Sequence, residues 1–163
     1  MTKAANLAAL GNGPAFSAYI PSAQTITGGV VTNAQWGTEV FDTNSRFNNT
    51  GSTVGGIPAY AFMPDVAGYY QINWSLYLVI DSGNGANLRS YLYKNGSSHI
   101  NGSFPYNVTL SDLISTGSAV VYFNGTTDYV QVYGAILFVN SGTPKFSAGQ
   151  VNSTFSGALI RAA

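Results

Sequence analysis

Residues 69–80 alternate large apolar and small polar side chains, and this pattern constrains the fold more than any other feature of the sequence. Successive side chains of a β-strand point to opposite faces of its sheet. The apolar face of this segment consists of Tyr70, Ile72, Trp74, Leu76, Leu78 and Ile80, and the opposite face begins with Gln71, Asn73 and Ser75. The alternation predicts a long strand with one face in a core.

Segments with strand-forming residues fill the rest of the chain and are separated by turn signals, such as Asn95-Gly96 and Asn124-Gly125. A series of short strands with frequent turns predicts an all-β sandwich of about ten strands. The predicted strands are residues 15–20, 25–32, 38–41, 60–62, 69–80, 88–94, 110–114, 119–123, 129–139 and 154–161. The main predicted loops are residues 48–58, 81–87, 99–107 and 140–150.

Charge is scarce in this chain. Charged residues make up 7% of the 163 residues, and six Lys and Arg balance six Asp and Glu. Nucleic acids and anionic membrane surfaces both attract clusters of basic side chains, which a chain this neutral lacks. No apolar run approaches the roughly 18 residues that span a bilayer. We therefore expect neither a nucleic-acid partner nor a membrane partner.

The beginning of the chain reads as a short arm, residues 1–13, ahead of one domain, residues 14–163. Leu7 and Leu10 are three positions apart and would share one face of a short helix. The arm is either a frayed terminus or an anchor that orders on a partner. Its apolar run is too short for the core of a signal peptide, so we expect a protein made and assembled inside a cell.

No arrangement of residues in the sequence predicts catalysis. The one histidine, His99, follows two serines in a Gly- and Asn-rich stretch, without the motif of a nucleophile elbow. Glycoside hydrolysis needs two carboxylates about 5–10 Å apart, and the six acidic residues form no evident pair. Metal-ligand motifs are missing as well. We predict no catalytic residue, no metal site and no cofactor.

A long loop of aromatic and neutral polar residues is the candidate ligand site. It contains His99, Asn101, Phe104, Tyr106 and Asn107. Aromatic rings beside amide and hydroxyl groups suit a saccharide, which presents apolar ring faces and many hydroxyls. The alternative is that Phe104 and Tyr106 pack into the sandwich.

Two predicted strand segments are apolar on both faces, residues 119–123 and residues 135–139. A two-layer sandwich leaves one face of each sheet exposed, so these strands need a second cover. A symmetric contact between subunits would supply it. The alternative is a strand that runs beneath a loop.

Five short motifs, in order along the chain, resemble the complement C1q-like globular head. They are Pro14-Ala15-Phe16-Ser17-Ala18-Tyr19, the series Phe62, Pro64, Gly68 and Tyr70, then Tyr93-Lys94-Asn95-Gly96, Asp128-Tyr129-Val130-Gln131-Val132-Tyr133-Gly134 and Ser153-Thr154-Phe155-Ser156-Gly157-Ala158-Leu159-Ile160. The resemblance implies a C1q/tumour-necrosis-factor-like jelly roll that forms a homotrimer. It also implies that Tyr19, Tyr133, Phe155 and Leu159 form the trimer contact or its supporting core.

A narrower similarity is to the C1q-like domains of tailed bacteriophages, carried by residues 11–19, 39–43, 67–73 and 93–96. It implies a non-enzymatic virion protein, assembled in the bacterial cytoplasm and displayed as a trimeric knob. Such a knob would end a tail fibre and bind host-surface carbohydrate, or decorate the capsid by clamping capsomers. The arm, with Leu7 and Leu10, would dock on another virion protein. A polysaccharide-degrading enzyme and a C1q-like lectin are the remaining alternatives.

Overall fold

The structure is a computed structural model that describes residues 13–84, 87–107, 109–137 and 139–163. Within these residues the chain forms eleven β-strands and no α-helix. The strands are β1 Ala15–Tyr19, β2 Gln24–Thr25, β3 Thr32–Asn33, β4 Thr38–Asp42, β5 Gly68–Asp81, β6 Leu88–Lys94, β7 Ser97–Asn101, β8 Asp112–Phe123, β9 Val130–Ile136, β10 Thr143–Phe146 and β11 Thr154–Ala162. The all-β prediction is confirmed, and the described part of the chain has no helix long and apolar enough to cross a membrane.

The strands form two antiparallel sheets that pack face to face. In the seven-stranded sheet, β5 pairs with β8 along one edge and with β10 and β11 along the other. The sheet continues from β11 to β1 and β4, and from β10 to β2. The second sheet has the order β3-β9-β6-β7. β5 is therefore the strand around which the larger sheet is built.

The core lies between the sheets and is organised by the predicted alternation of β5. Tyr70, Ile72, Leu76 and Leu78 have no exposed surface, and Trp74 is 3% exposed. Burial removes each of these side chains from water and contributes about 1.5–3 kcal/mol for a side chain of this size. The prediction of one apolar and one polar face for this strand is confirmed.

An aromatic cluster fills one end of the core. The ring of Phe16 lies 4.7 Å from that of Phe47, 4.4 Å from that of Phe62 and 4.8 Å from that of Phe155. Phe16 and Phe155 come from neighbouring strands of the larger sheet, whereas Phe47 and Phe62 come from the connection between β4 and β5. The cluster thus holds this irregular connection against the sheet. These contacts explain how so long a segment without regular strands adopts one conformation.

Two glycines allow side chains from the core to approach the backbone closely. A Cβ at Gly157 would lie 2.7 Å from Ile72 Cδ1, and a Cβ at Gly134 would lie 2.4 Å from Leu76 Cδ2. Carbon atoms do not approach each other so closely, so any larger residue would displace the core. The sequence motifs that contain these glycines therefore reflect how the core is packed.

A chain of buried hydrogen bonds connects the two sheets through the core. The Trp74 Nε1–H of β5 donates to Ser90 Oγ of β6 at 2.8 Å, and Ser90 Oγ lies 2.6 Å from Ser115 Oγ of β8. Ser115 Oγ donates in turn to the Ser103 carbonyl. Ser90 and Ser115 are fully buried. Every member has a partner, which is the condition for a polar chain to be tolerated in a core.

The strand boundaries agree with the sequence prediction only in part. The predicted strand 25–32 is replaced by β2 and β3 at its two ends, and the predicted strand 60–62 contains only the isolated bridges of Phe62. Residues 88–94 are a strand as predicted. Residues 110–114 and 119–123 were expected to be separate strands, but residues 112–123 form the continuous strand β8, and residues 110 and 111 precede it. The predicted loop 99–107 begins within β7, and the predicted loop 140–150 contains β10. Short strands rich in polar residues carry little periodic signal, which is why they were missed.

Replacement of Ser90 by alanine should leave the Trp74 N–H buried without a partner. We expect Ser90→Ala to lower the free energy of unfolding by about 1–3 kcal/mol. The exposed Ser98 of β7 is the matched control, and Ser98→Ala should change stability by less than about 0.5 kcal/mol. Urea unfolding at equal protein concentrations measures both changes. Equal stability of the two variants would show that the chain of hydrogen bonds contributes nothing.

Candidate binding faces

The outer face of the seven-stranded sheet is apolar and neutral. We call it the broad face and define it by the outward side chains of β1, β4, β5, β8 and β11. Its exposed apolar residues include Phe41, Tyr69, Ile114, Val120 and Tyr122, each between 42% and 55% exposed. Segments 69–75, 116–122 and 154–158, which belong to the adjacent strands β5, β8 and β11, hold no charged residue. A surface that is partly apolar and depleted of charge is typical of a subunit contact.

Neutral polar side chains between these apolar residues form hydrogen bonds with one another. Gln71 Nε2 donates to Ser118 Oγ at 2.8 Å, and Ser118 Oγ donates to Asn73 Oδ1 at 2.9 Å. The rings of Tyr69 and Tyr122 form an edge-to-face pair with centroids 5.4 Å apart. The face is thus pre-ordered, and its burial against another surface would leave few polar groups unpaired.

Four aromatic rings form a strip along the outer face of the four-stranded sheet. We call Phe104, Tyr91, Tyr93 and Tyr133 the tyrosine strip. Ring centroids are 6.4 Å apart from Phe104 to Tyr91, 6.4 Å from Tyr91 to Tyr93 and 4.2 Å from Tyr93 to Tyr133. These distances are those of directly interacting rings, so the strip is continuous.

The six carboxylates are spread around the described surface, and three of them lie in ion pairs. Asp65 lies 2.9 Å from Arg46 and Asp128 lies 3.1 Å from Lys94, and Asp81 is paired with Lys145. Burial, followed by the neighbouring charge of Asp42, raises the pKa of Glu39. Among the described residues no group of three or more His, Asp or Glu side chains has the geometry of a metal site.

One turn network brings together two of the sequence motifs. Asn95 Nδ2 donates to Asp128 Oδ1 at 2.8 Å, and the Tyr129 backbone N–H donates to Asn95 Oδ1 at 3.0 Å. Burial by itself would raise the pKa of Asp128. Hydrogen bonds from Asn95, Lys94 and the Asn124 backbone, together with the Lys94 charge, outweigh burial and hold that pKa below its ordinary value of 3.8. The carboxylate therefore stabilises the fold in its charged form.

Comparisons with known proteins find likeness in structure only. No protein-family model and no curated protein matches the sequence. The globular domain of zebrafish complement 1qA aligns with 92% of this chain and 99% of its own, with a TM-score of 0.60 and 17% identity. Murine APRIL aligns with 91% and 99%, with a TM-score of 0.63 and 10% identity. The PRD1 vertex protein P5 aligns with 91% and 97%, with a TM-score of 0.59 and 12% identity.

The chain has a C1q/TNF-like jelly-roll fold. This confirms the fold that the sequence motifs predicted. TM-scores of 0.59–0.63 establish the shared architecture. Identities of 10–17% do not transfer a function, which has to be argued from the surface of this jelly roll.

The four residues that the resemblance implied for a trimer contact or its supporting core lie in different environments. Phe155 is fully buried and Leu159 is 8% exposed, so both belong to the core of the jelly roll. Tyr19 is half-buried at the end of β1, in the larger sheet. Tyr133 belongs to the tyrosine strip of the smaller sheet. Leu7 and Leu10 of the arm lie outside the described residues.

The five residues of the candidate ligand loop are not all in a loop. His99 and Asn101 belong to β7, whereas Phe104 lies in the tyrosine strip. Tyr106 forms an isolated bridge with Asn87 and is 66% exposed, so it does not pack into the sandwich. Asn107 Oδ1 accepts hydrogen bonds from Thr109, which makes it a turn residue. Tyr91 and Tyr93 were missed, although their alternation with Ser90 and Leu92 places them on one outer face.

Asp128 should make stability depend on pH in the acidic range. Its contribution is present above the ordinary aspartate pKa and is lost as the pH falls from 3.8 through the lower value of the folded protein. We expect Asp128→Asn to melt below the wild type at pH 7, with a difference that shrinks toward pH 3. Asp112, which accepts one hydrogen bond from Tyr77, provides the control variant Asp112→Asn. Thermal unfolding at both pH values tests this, and a constant difference would contradict it.

Proposed function

We propose that this jelly roll forms a homotrimer through its broad face and serves as a non-enzymatic knob of a phage virion. The observation that carries the proposal is the broad face itself. Exposed Val120 and Tyr122 stand on β8, beside the long strand β5, and no charged residue lies in segments 69–75 and 116–122 of these two strands. Leaving such a face in water costs free energy, because each apolar Å² that becomes buried contributes about 25 cal/mol. A contact between copies of the chain removes that cost.

The role in a virion is supported by one structural neighbour and by the sequence motifs. The PRD1 vertex protein P5 has the same fold, and phage C1q-like domains resemble this sequence over residues 11–19 and 67–73. Within that role we favour a knob at a tail-fibre tip that adheres to the host surface. The arm, residues 1–13, would attach it to another virion protein.

Capsid decoration is the second candidate, and the PRD1 neighbour supports it because that protein occupies a vertex. The two roles differ in where the protein sits on a particle. Electron microscopy of virions labelled with an antibody against this chain distinguishes them. Label at the tail tip supports the adhesive knob, and label over the capsid supports decoration.

A polysaccharide-degrading enzyme finds less support. Such an enzyme needs two free carboxylates across a cleft. Asp65, Asp81 and Asp128 each neutralise a basic side chain, and Asp112 accepts a hydrogen bond from Tyr77. Asp42 also has a structural role, since it accepts the Phe47 backbone N–H at 2.7 Å. Five of the six carboxylates thus have partners that hold them in the fold, which leaves Glu39 without a free second carboxylate and favours a protein without catalytic activity.

The mass in solution tests the homotrimer directly. We expect about 51 kDa by light scattering, three times the 17.1 kDa of one chain. Val120→Glu places a charge in the apolar part of the broad face, on β8, and should shift the mass toward 17.1 kDa, because an unpaired buried charge is strongly unfavourable. Val151, which is 95% exposed in a loop, provides the control Val151→Glu, which should keep the trimer mass. A wild-type monomer would overturn the proposal.

A further inference from the structure

The tyrosine strip lies on the side of the sandwich opposite to the broad face. The two sheets pack with their inner faces together, so their outer faces point in opposite directions. A trimer formed through the broad face leaves the strip accessible. Phe104 is 44% exposed and the three tyrosines are half-buried, so the strip is a partly exposed aromatic surface. Contiguous apolar patches on a surface often mark binding sites, so the strip needs an explanation of its own.

The rings of the strip are held in place by the sheet. β6 and β9 pair over the whole of Leu88–Lys94 and Val130–Ile136, with Tyr91 directly opposite Tyr133. Tyr93 then lies diagonal to Tyr133, and their rings are in contact, tilted by 30° with centroids 4.2 Å apart. Tyrosine has few rotatable bonds, and these rings already restrain one another. Because the rings are already ordered, a ligand that stacks on them would bind with little loss of side-chain entropy.

The surroundings of the strip are nearly neutral. Arg89 is the one charged residue among the outward side chains of β6, β7 and β9, and its guanidinium lies 5.1 Å from the Phe104 ring centroid. Arg89 Nε also donates to Asn87 Oδ1. Burial, followed by the neighbouring Tyr129 and Tyr93, raises the pKa of Tyr133, so its hydroxyl stays protonated at neutral pH. The strip thus offers ring faces and hydroxyl groups in place of charge.

Two exposed polar side chains, Asn101 and Ser98, flank the strip. Asn101 pairs with Tyr91, and Ser98 pairs with Tyr93, which places these two side chains on the same face as the rings. Both residues are exposed, and neither side chain forms a hydrogen bond within the described part of the chain. An amide and a hydroxyl are thereby left to bind polar groups of a ligand that lies across the rings.

We propose that the tyrosine strip, together with Asn101 and Ser98, binds a neutral oligosaccharide of the host cell surface. A sugar ring has an apolar C–H face, which stacks on an aromatic ring, and an edge of hydroxyls, which bonds to amide and hydroxyl groups. Four consecutive rings extend beyond a single sugar, so the ligand is a chain of several hexoses. The inference deepens the proposed adhesive function and rests on it.

Calorimetric titration of the full-length protein tests the site with four probes: the hexasaccharides of β-1,4-glucose, α-1,4-glucose, mannose and N-acetylglucosamine. We expect at least one of them to bind with a Kd below about 1 mM. Tyr93→Ala removes one of the two inner rings and should weaken that binding at least about tenfold, whereas Tyr93→Phe keeps the ring and should retain most of the binding. Tyr91→Ala provides an independent removal if Tyr93→Ala does not fold.

Tyr106 provides the matched control, since it is an exposed tyrosine outside the strip. Tyr106→Ala should bind the same hexasaccharide within about twofold of the wild type. The inference is overturned if none of the four probes binds, which would leave a protein surface as the partner of the strip. It is also overturned if Tyr93→Ala and Tyr91→Ala bind as tightly as the wild type.

Light scattering on the same samples separates this inference from the proposed function. A trimer that binds no hexasaccharide overturns the saccharide site alone. A monomer that binds one through Tyr93 overturns the proposed trimeric knob and leaves the saccharide site standing.

Discussion

The burial of one face of β5 between two sheets is the constraint on which the rest of this structure depends. Its apolar residues supply the centre of the core, and both of its edges are occupied by paired strands. Trp74 adds a requirement that apolar packing cannot meet, because its N–H needs an acceptor. Ser90 supplies that acceptor from the opposite sheet, and Ser115 completes the connection. One strand thereby fixes how the two sheets sit on each other.

Because the inward-facing residues alone form the core, the outward-facing residues of the two sheets can differ in chemistry. The broad face combines apolar side chains with amide and hydroxyl groups that satisfy one another, as Gln71 and Ser118 do. The face of the tyrosine strip combines aromatic rings with polar groups left open, as at Asn101. A surface whose polar groups already hydrogen-bond to one another suits burial against an identical copy. A surface whose donors and acceptors face solvent suits a polyhydroxylated ligand.

The fold was largely predictable from the sequence, because the alternation in residues 69–80 and the turn at Asn95-Gly96 are local signals. The surfaces were less predictable. The strip depends on the register of β6 with β9, which sets Tyr91 against Tyr133 across 42 positions of sequence. No local pattern encodes that register. The interpretation of residues 99–107 as one ligand loop was wrong at His99 and Asn101, since β7 pairs with β6 there.

The motifs that made the fold recognisable carry no information about the ligand, because their residues stabilise the fold. Asn95 and Asp128 hydrogen-bond to each other across two turns. Gly157 admits the side chain of Ile72, and Phe155 lies wholly in the core. Each of these residues is required by the jelly roll itself, whatever the protein binds. Information about partners therefore resides in the outward positions between the motifs, where Val120 and Tyr93 stand and where the architecture imposes no particular side chain.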